Sequence, residues 1–289
     1  MKFALQKSPI PESRIFVAKE LRDKHFDATW HAHSEYQLFM VLKGSGTRFI
    51  GNTVQSFNAG DLTFLGPAVP HLWRSDSVYF DKRSKLVTHG LVIYFREDFI
   101  GGLLEKDEMQ QIRSLFKKAK RGIEYYGQAV NQIAGMMKQI VAAHGGQRLI
   151  QLLQILELLT QTKAYRMLHN ADYKYRLKES ETRRINLVYN YAAQHFHGHI
   201  ALKDAAALLN MTPTSFSRYF RMKTSKSFSD FITELRIRHA CKLLSEDDNK
   251  TISQVSYECG FNTLSNFNRQ FKWYMKITPK AYREKFSTL

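Results

Sequence analysis

The chain has 289 residues, with 43 Lys and Arg against 26 Asp and Glu, a formal net charge of +17. With 44% hydrophobic and 24% charged residues it is not a disordered chain, and no stretch approaches the roughly 18 unbroken apolar residues of a membrane span. Two cysteines, Cys241 and Cys259, are too few for a disulfide framework.

The length predicts two domains at roughly 150 residues each. The opening segment MKFALQKSPIPESR lacks the apolar core of a secretory signal, and with so few cysteines a reducing cytoplasm is expected. Residues 1–100 carry 13 basic and 10 acidic side chains, residues 101–180 carry 13 and 7, and residues 181–289 carry 17 and 9. Basicity rises along the chain without a purely cationic block. Charge alone therefore fits nucleic acid, an anionic membrane or a merely basic protein.

The first hundred residues read as strands and turns. Gly44-Ser45-Gly46, Gly51-Asn52, Asn58-Ala59-Gly60-Asp61 and Gly66-Pro67 punctuate short runs rich in Phe, Val, Ile, Leu and Thr, the spacing of a sandwich or small barrel. The run Tyr36 to Leu42 is apolar at nearly every position, so this strand is expected to be covered on both faces. Just before it, His31-Ala-His33-Ser-Glu35-Tyr-Gln37 alternates polar residues on one face of a strand, and Pro70-His71 follows further on.

Beyond residue 103 the period becomes helical, with Met109, Ile112, Leu115 and Phe116, then Val130, Ile133, Met137 and Ile140. Leu149 to Thr160 forms a broadly apolar helix, serving its own domain, a partner, or both. Residues 169–180 lose the period and read as an exposed linker.

From Glu181 the chain is helical and repeats itself. Phe216-Ser-Arg-Tyr-Phe-Arg221 returns 51 residues later as Phe267-Asn-Arg-Gln-Phe-Lys272, and Leu202, Ala205 and Ala206 match Ile252, Val255 and Ser256 at an offset of 50. A short helix, a tight break and a second short helix is the helix-turn-helix plan, present twice. Thr212 and Asn262 are the expected caps of the second helix in each pair, Pro213 its first residue in one copy, and Gly260 the turn in the other. A long helix from Phe228 to Leu244 joins the pairs.

In each second helix two Phe residues lie four apart and share the inward face. Thr214, Ser217, Arg218 and Arg221 then point outward in the first copy, and Leu264, Ser265, Asn268, Arg269 and Lys272 in the second. Hydroxyls, an amide and guanidinium groups on a bare helix face suit the major groove, where Arg takes guanine O6 and N7 and Asn pairs with adenine. Most polar helix faces are only solvated. Two copies at matched spacing argue against that for these.

Residues 181–289 resemble the paired helix-turn-helix domain of the AraC/XylS transcription regulators. The likeness rests on Ala206 through Phe220, on LRIRHACKLL, and on VSYECGFNTLSNFNRQFKWYMKITPKAYR. Ser225 and Lys276 stand where that family usually places Gly, so both are expected at positive φ, and Ser256 replaces the usual Ala. The resemblance implies two recognition helices in successive major-groove segments of double-stranded DNA, with Arg218 and Arg269 on bases and Arg221, Lys223, Lys226 and Lys272 on phosphates. It also implies a homodimer and RNA polymerase as a further partner.

The histidine motifs resemble those of cupin barrels, which commonly precede this DNA-binding domain. In metal-binding cupins the matching residues, here His31, His33, Glu35 and His71, hold a divalent ion such as Zn, Fe or Mn. Regulatory cupins use the barrel mouth for a small effector without needing a cofactor. On that reading His31, His33, Glu35, Gln37, Arg48, His71 and Trp73 are the effector-binding candidates, with Trp30 or Trp73 offering a face to a sugar and Arg48 or Arg74 pairing with a carboxylate.

The expectation is thus an α+β chain: a cupin-like effector-sensing barrel over 1–100, a helical connector and dimerisation region over 101–170, and a double helix-turn-helix domain over 181–289. It acts in the cytoplasm as a sequence-specific regulator, not an enzyme and not membrane-bound. The competing class is a metal-dependent cupin oxygenase or isomerase with a helical interaction module. A nonspecific architectural DNA-binding protein leaves the barrel unexplained.

Overall fold

A computed structural model describes residues 8–169, 179–224, 226–246 and 249–286, with the backbone alone for residues 179–183. The chain divides into two units, one of residues 1–53 and 57–176 and one of residues 177–289, with which the short run 54–56 is grouped. The first is β-rich and cupin-like, the second all helical, and the fold class is α+β.

The first unit opens with β1 (Phe16–Asp23), β2 (Tyr36–Lys43), β3 (Gly46–Ile50), β4 (Thr53–Phe57), β5 (Leu62–Leu65), β6 (His71–Ser75) and β7 (Thr88–Phe95). It continues with α1 (Gln110–Ala119), β8 (Ile123–Tyr125), α2 (Gln128–Ala142), α3 (Gln147–Gln161) and β9 (Tyr165–Met167). Antiparallel pairing gives a six-stranded sheet in the order β1-β7-β2-β5-β8-β9 and a three-stranded one in the order β4-β3-β6.

β2 is buried from Tyr36 through Val41 because it has a core on each side. Leu38 and Met40 join Leu62, Phe64, Leu91 and Ile93 in a cluster closed by Ile112, Phe116, Ile133, Met137, Leu152 and Leu156 of the helices. Phe39 and Val41 point the other way, into the barrel with Phe26, Ile50, Phe57 and Trp73. Each large apolar side chain fully buried in this way contributes roughly 1.5–3 kcal/mol of transfer free energy.

Residues 101–169, expected as the greater part of a separate connector, belong to the first unit instead. β8 and β9 extend its sheet, and the apolar stripes of α1, α2 and α3 cover one of its faces. Strands of three residues carry no readable alternation, so only the helical period shows in the sequence. Of the expected linker at 169–180, His169 is the last described residue of the first unit, residues 170–178 lie outside the described residues, and α4 already begins at Glu179.

The second unit runs α4 (Glu179–His195), α5 (Leu202–Ala207), α6 (Pro213–Thr224), α7 (Phe228–Glu246), α8 (Ile252–Glu258), α9 (Leu264–Met275) and α10 (Pro279–Phe286). Phe216, Phe220, Phe267 and Phe271 are fully buried. The first pair of rings packs on Phe228 and Phe231 of α7, the second on Phe261 and Tyr282. Among the described residues no helix is long and apolar enough to cross a membrane.

Candidate ligand pocket and nucleic-acid interface

His31 and His71 face one another as an isolated bridge, each backbone N–H donating to the other's carbonyl, at 3.1 and 2.8 Å. Ala68 ties in the third histidine: its N–H donates to the His33 carbonyl at 2.8 Å from a left-handed turn at φ 59. Such a conformation costs an ordinary residue roughly 1–2 kcal/mol, and it brings the loop leading to His71 against the one carrying His33.

His31 Nδ1 lies 2.7 Å from the Thr29 carbonyl, His33 Nδ1 3.0 Å from that of Glu35, and His71 Nδ1 2.8 Å from that of Val69. Carbonyl oxygens only accept, so each Nδ1 carries the ring proton. Burial pushes all three rings below the ordinary imidazole range, His71 well below it, so they are neutral. One ring nitrogen from each of the three lies within 4.8 Å of the others, and the Gln37 amide lies 3.0 Å from His33 Nε2 and 3.1 Å from His71 Nε2. Deprotonated, backbone-oriented imidazoles beside an amide oxygen form a donor set that fits a divalent transition metal.

The rings border a cavity of about 260 Å³, which Lys19, Asp27, Tyr94 and Trp73 also line, with Pro9 at one side. Burial, aided by the nearby carboxylates of Glu35 and Asp27, pushes the Tyr94 hydroxyl up to about 12, so it stays protonated.

Two expected site residues lie elsewhere. Glu35 is fully buried behind His33, its Oε2 3.6 Å from Nδ1 and its Oε1 accepting from Ser34 Oγ at 2.9 Å. It stands apart from the Nε2 cluster because β2 begins only at Tyr36, and the strand alternation does not hold before it. Arg48, on β3, is buried between the carboxylates of Asp61 and Glu124, with Arg166 also donating to Glu124 at 2.7 and 2.9 Å. Its guanidinium serves a buried charge network, and Arg48 does not line the cavity. Burial is the largest influence on Asp61 and pushes it up to about 6 despite the guanidinium. Trp30 is buried, and Arg74 lies over the Phe80 ring, 5.5 Å from its centroid.

In the second unit α6 starts at Pro213, with Thr212 Oγ1 accepting from the Ser215 N–H at 3.2 Å. For α9 the cap is Thr263, which accepts from Asn266 N–H at 3.3 Å, rather than the expected Asn262. Thr214, Arg218 and Arg221 on α6 are exposed, as are Ser265, Asn268, Arg269 and Lys272 on α9. Ser217 is half-buried, and Leu264 packs partly against the core formed by Phe267 and Phe271. The Arg269 guanidinium donates to Asn266 Oδ1 at 3.0 Å, which steadies it on the outer face. Of the expected phosphate contacts, Lys226 is held in an ion pair with Glu234, and Lys223 lies over the Tyr219 ring.

The family described as the AraC-like ligand binding domain matches residues 16–163, just over half of the chain, and a helix-turn-helix domain family matches residues 205–285. The chain belongs to the AraC family of transcription regulators. A relative described as an uncharacterized HTH-type transcriptional regulator of Staphylococcus aureus is 26% identical over 156 residues, 53% of this chain and 21% of its own length. This chain thus spans about a fifth of that longer relative. The HTH-type transcriptional activator RhaR of Yersinia pseudotuberculosis is 20% identical over 263 residues, covering 89% of this chain and 84% of RhaR. Among solved structures, ToxT from Vibrio cholerae is 12% identical, covering 95% of this chain and 99% of its own, with a TM-score of 0.37.

In this AraC-family chain the polar cavity residues that sequence reasoning missed are Lys19, Asp27 and Tyr94. They come from β1, from the loop after it and from β7, and only strand pairing brings them to the histidines. No local motif marks them.

Proposed function

We propose that the chain is a sequence-specific regulator that reads duplex DNA with α6 and α9 and senses a small molecule in the histidine-lined cavity. The observation that carries this reading is the duplication: two helices of one design, each hiding two Phe residues and presenting an exposed Arg at matching positions, Arg218 and Arg269. Arg218 and Arg269 take the base contacts, with Ser265 and Asn268 beside the second; Arg221 and Lys272 meet phosphates.

An effector acts only through a difference in affinity between DNA-competent and DNA-incompetent states. Pro9 borders the cavity, so an occupant would touch the segment that leads into β1. A second copy of the chain would cover the apolar groove between α1, α2 and α3, where Ile150 is half exposed beside Met109, Met136 and Leu153. RNA polymerase is the partner a DNA-bound dimer would address, in the cytoplasm. The histidine cluster favours one second reading, a metal-dependent cupin oxygenase or isomerase.

The test is selection of bound duplexes from a random pool at physiological salt, repeated with candidate sugars and metals. Recovery of a motif whose strength changes with a solute supports the regulator. Equal recovery of all duplexes overturns it, and turnover abolished by His71→Ala supports the enzyme.

A further inference from the structure

We infer that the first unit holds a second ligand site, in the hollow between α1, α3, β8 and β9, and that it takes a small organic monoanion, a carboxylate on a short apolar body. The hollow has a volume of about 140 Å³ and shares no lining residue with the histidine-lined cavity. The site is independent of what that cavity binds.

Helical spacing builds one wall, since Gln111, Ser114, Leu115 and Lys118 share a face of α1. Strand pairing builds another: Tyr125 on β8 stands across from Tyr165 on β9, with ring centroids 6.0 Å apart. Leu115, Ile123 and Leu159 are buried and give the hollow an apolar floor, while Gln111, Ser114 and Lys118 are exposed at its rim. Thr160 Oγ1 donates to the Glu157 carbonyl at 2.7 Å and lies 3.3 Å from the Gln111 amide, which ties α3 to α1 at one end.

The sign of the ligand follows from the rim. Lys118 Nζ donates to the Tyr165 hydroxyl at 3.2 Å and lies over its ring, 5.2 Å from the centroid. A hydroxyl that accepts from an ammonium keeps its own proton to donate, and the ammonium has others left. Lys117, Lys120 and Arg121 adjoin Lys118 in the chain, and Lys163 stands just before β9. Among the described residues none of these cations is in an ion pair with a carboxylate. A basic last turn offsets the carbonyl end of α1, which accounts for Lys117 and Lys118 but not for Lys163 or for an apolar floor beneath Lys118. A carboxylate suits the ammonium and the phenol, and the floor asks for hydrocarbon behind it. Met109 and Ile112 of α1 and Leu153 and Leu158 of α3 line the groove proposed for a second copy, so on that reading an occupant of the hollow acts on the helix pair that self-associates.

The experiment titrates the full chain by calorimetry with isovalerate, beside isovaleramide, its uncharged twin, and inorganic phosphate, an anion without hydrocarbon. One isovalerate per chain is expected, with the amide and phosphate each weaker by about tenfold. Lys118→Gln should erase the preference for isovalerate over the amide, and Tyr165→Phe should weaken isovalerate severalfold. Lys117→Gln removes the same charge from the neighbouring residue and should leave isovalerate affinity within about twofold of the unaltered chain, because exposed charges are screened. No binding, equal binding of isovalerate and the amide, or equal losses in Lys117→Gln and Lys118→Gln overturns the inference, the last by showing diffuse attraction to a basic surface. Sedimentation velocity then reads the helix pair: isovalerate should shift self-association severalfold in the unaltered chain and not in Lys118→Gln. Binding without a shift overturns the action on the groove. If selection from the random pool recovers no motif while isovalerate binds as described, the regulator reading fails and this site stands. A motif recovered without isovalerate binding does the reverse.

Discussion

In the first helix pair the chain leaves α5 through Asn210 at φ 52, and in the second it leaves α8 through Gly260 at φ 82. Both turns close with the same backbone bond, Met211 N–H to Ala206 O at 3.0 Å and Phe261 N–H to Ser256 O at 3.1 Å. The two copies thus share a backbone conformation while differing in the residue that adopts it. Asn tolerates the left-handed region through its short polar side chain. Gly260 has a second duty, because a Cβ there would sit 2.6 Å from the His197 carbonyl oxygen and 2.7 Å from that of Phe196. A duplicated motif keeps the geometry and relaxes the residue wherever no neighbour crowds it.

The largest effect is expected there. Gly260→Ala combines an unfavourable φ with a backbone clash and should destabilise the second unit by about 3 kcal/mol, measured by urea unfolding. Asn210→Ala should lose only about 1–2 kcal/mol. Equal losses at the two turns would break the distinction. Next come the recognition helices. Arg218→Ala and Arg269→Ala should each relax preference at one base by roughly 1–3 kcal/mol, at different positions of the operator. Binding to systematically varied duplexes reads this, and relaxation at the same base pair would mean that the copies do not read separate segments.

A smaller contrast lies at the matched core position, Ala206 in the first copy and Ser256 in the second, both fully buried. The Ser256 hydroxyl has no hydrogen-bond partner among the described residues. Ser256→Ala should raise stability by about 1 kcal/mol, and a loss on that substitution would reveal a partner for the hydroxyl. Smallest of all, Lys276 ends α9 at φ 63, where a side chain is strained. Lys276→Gly should raise the unfolding midpoint by the equivalent of about 0.5–1 kcal/mol. Its expected counterpart after α6, Ser225, lies outside the described residues.

The helical unit was readable because its signals are local: a period near four that pairs Phe216 with Phe220, Thr and Pro at helix starts, and Gly260 at a turn. One slip, a cap assigned to Asn262 instead of Thr263, is a single-residue shift between two competent capping side chains. The first unit was less readable because its site is assembled from far-apart segments. Alternation along His31 to Gln37 put Glu35 with the histidines. The strand begins later, and the amide of Gln37 takes the place expected of the carboxylate. Arg48 looked like an anion receptor only because its partners Asp61 and Glu124 are 13 and 76 residues away.

The short strands β8 and β9 have a practical consequence. β8 pairs with β5 along Leu62 to Phe64, so a fragment ended at residue 100, where composition alone would cut, leaves that strand's outer backbone groups unsatisfied. It also strips α1 to α3 from Leu38, Met40, Leu91 and Ile93. An apolar strand edge laid open in this way is a template for pairing between chains, and the fragment should precipitate as multimers. The smallest piece of the first unit worth purifying therefore runs through β9.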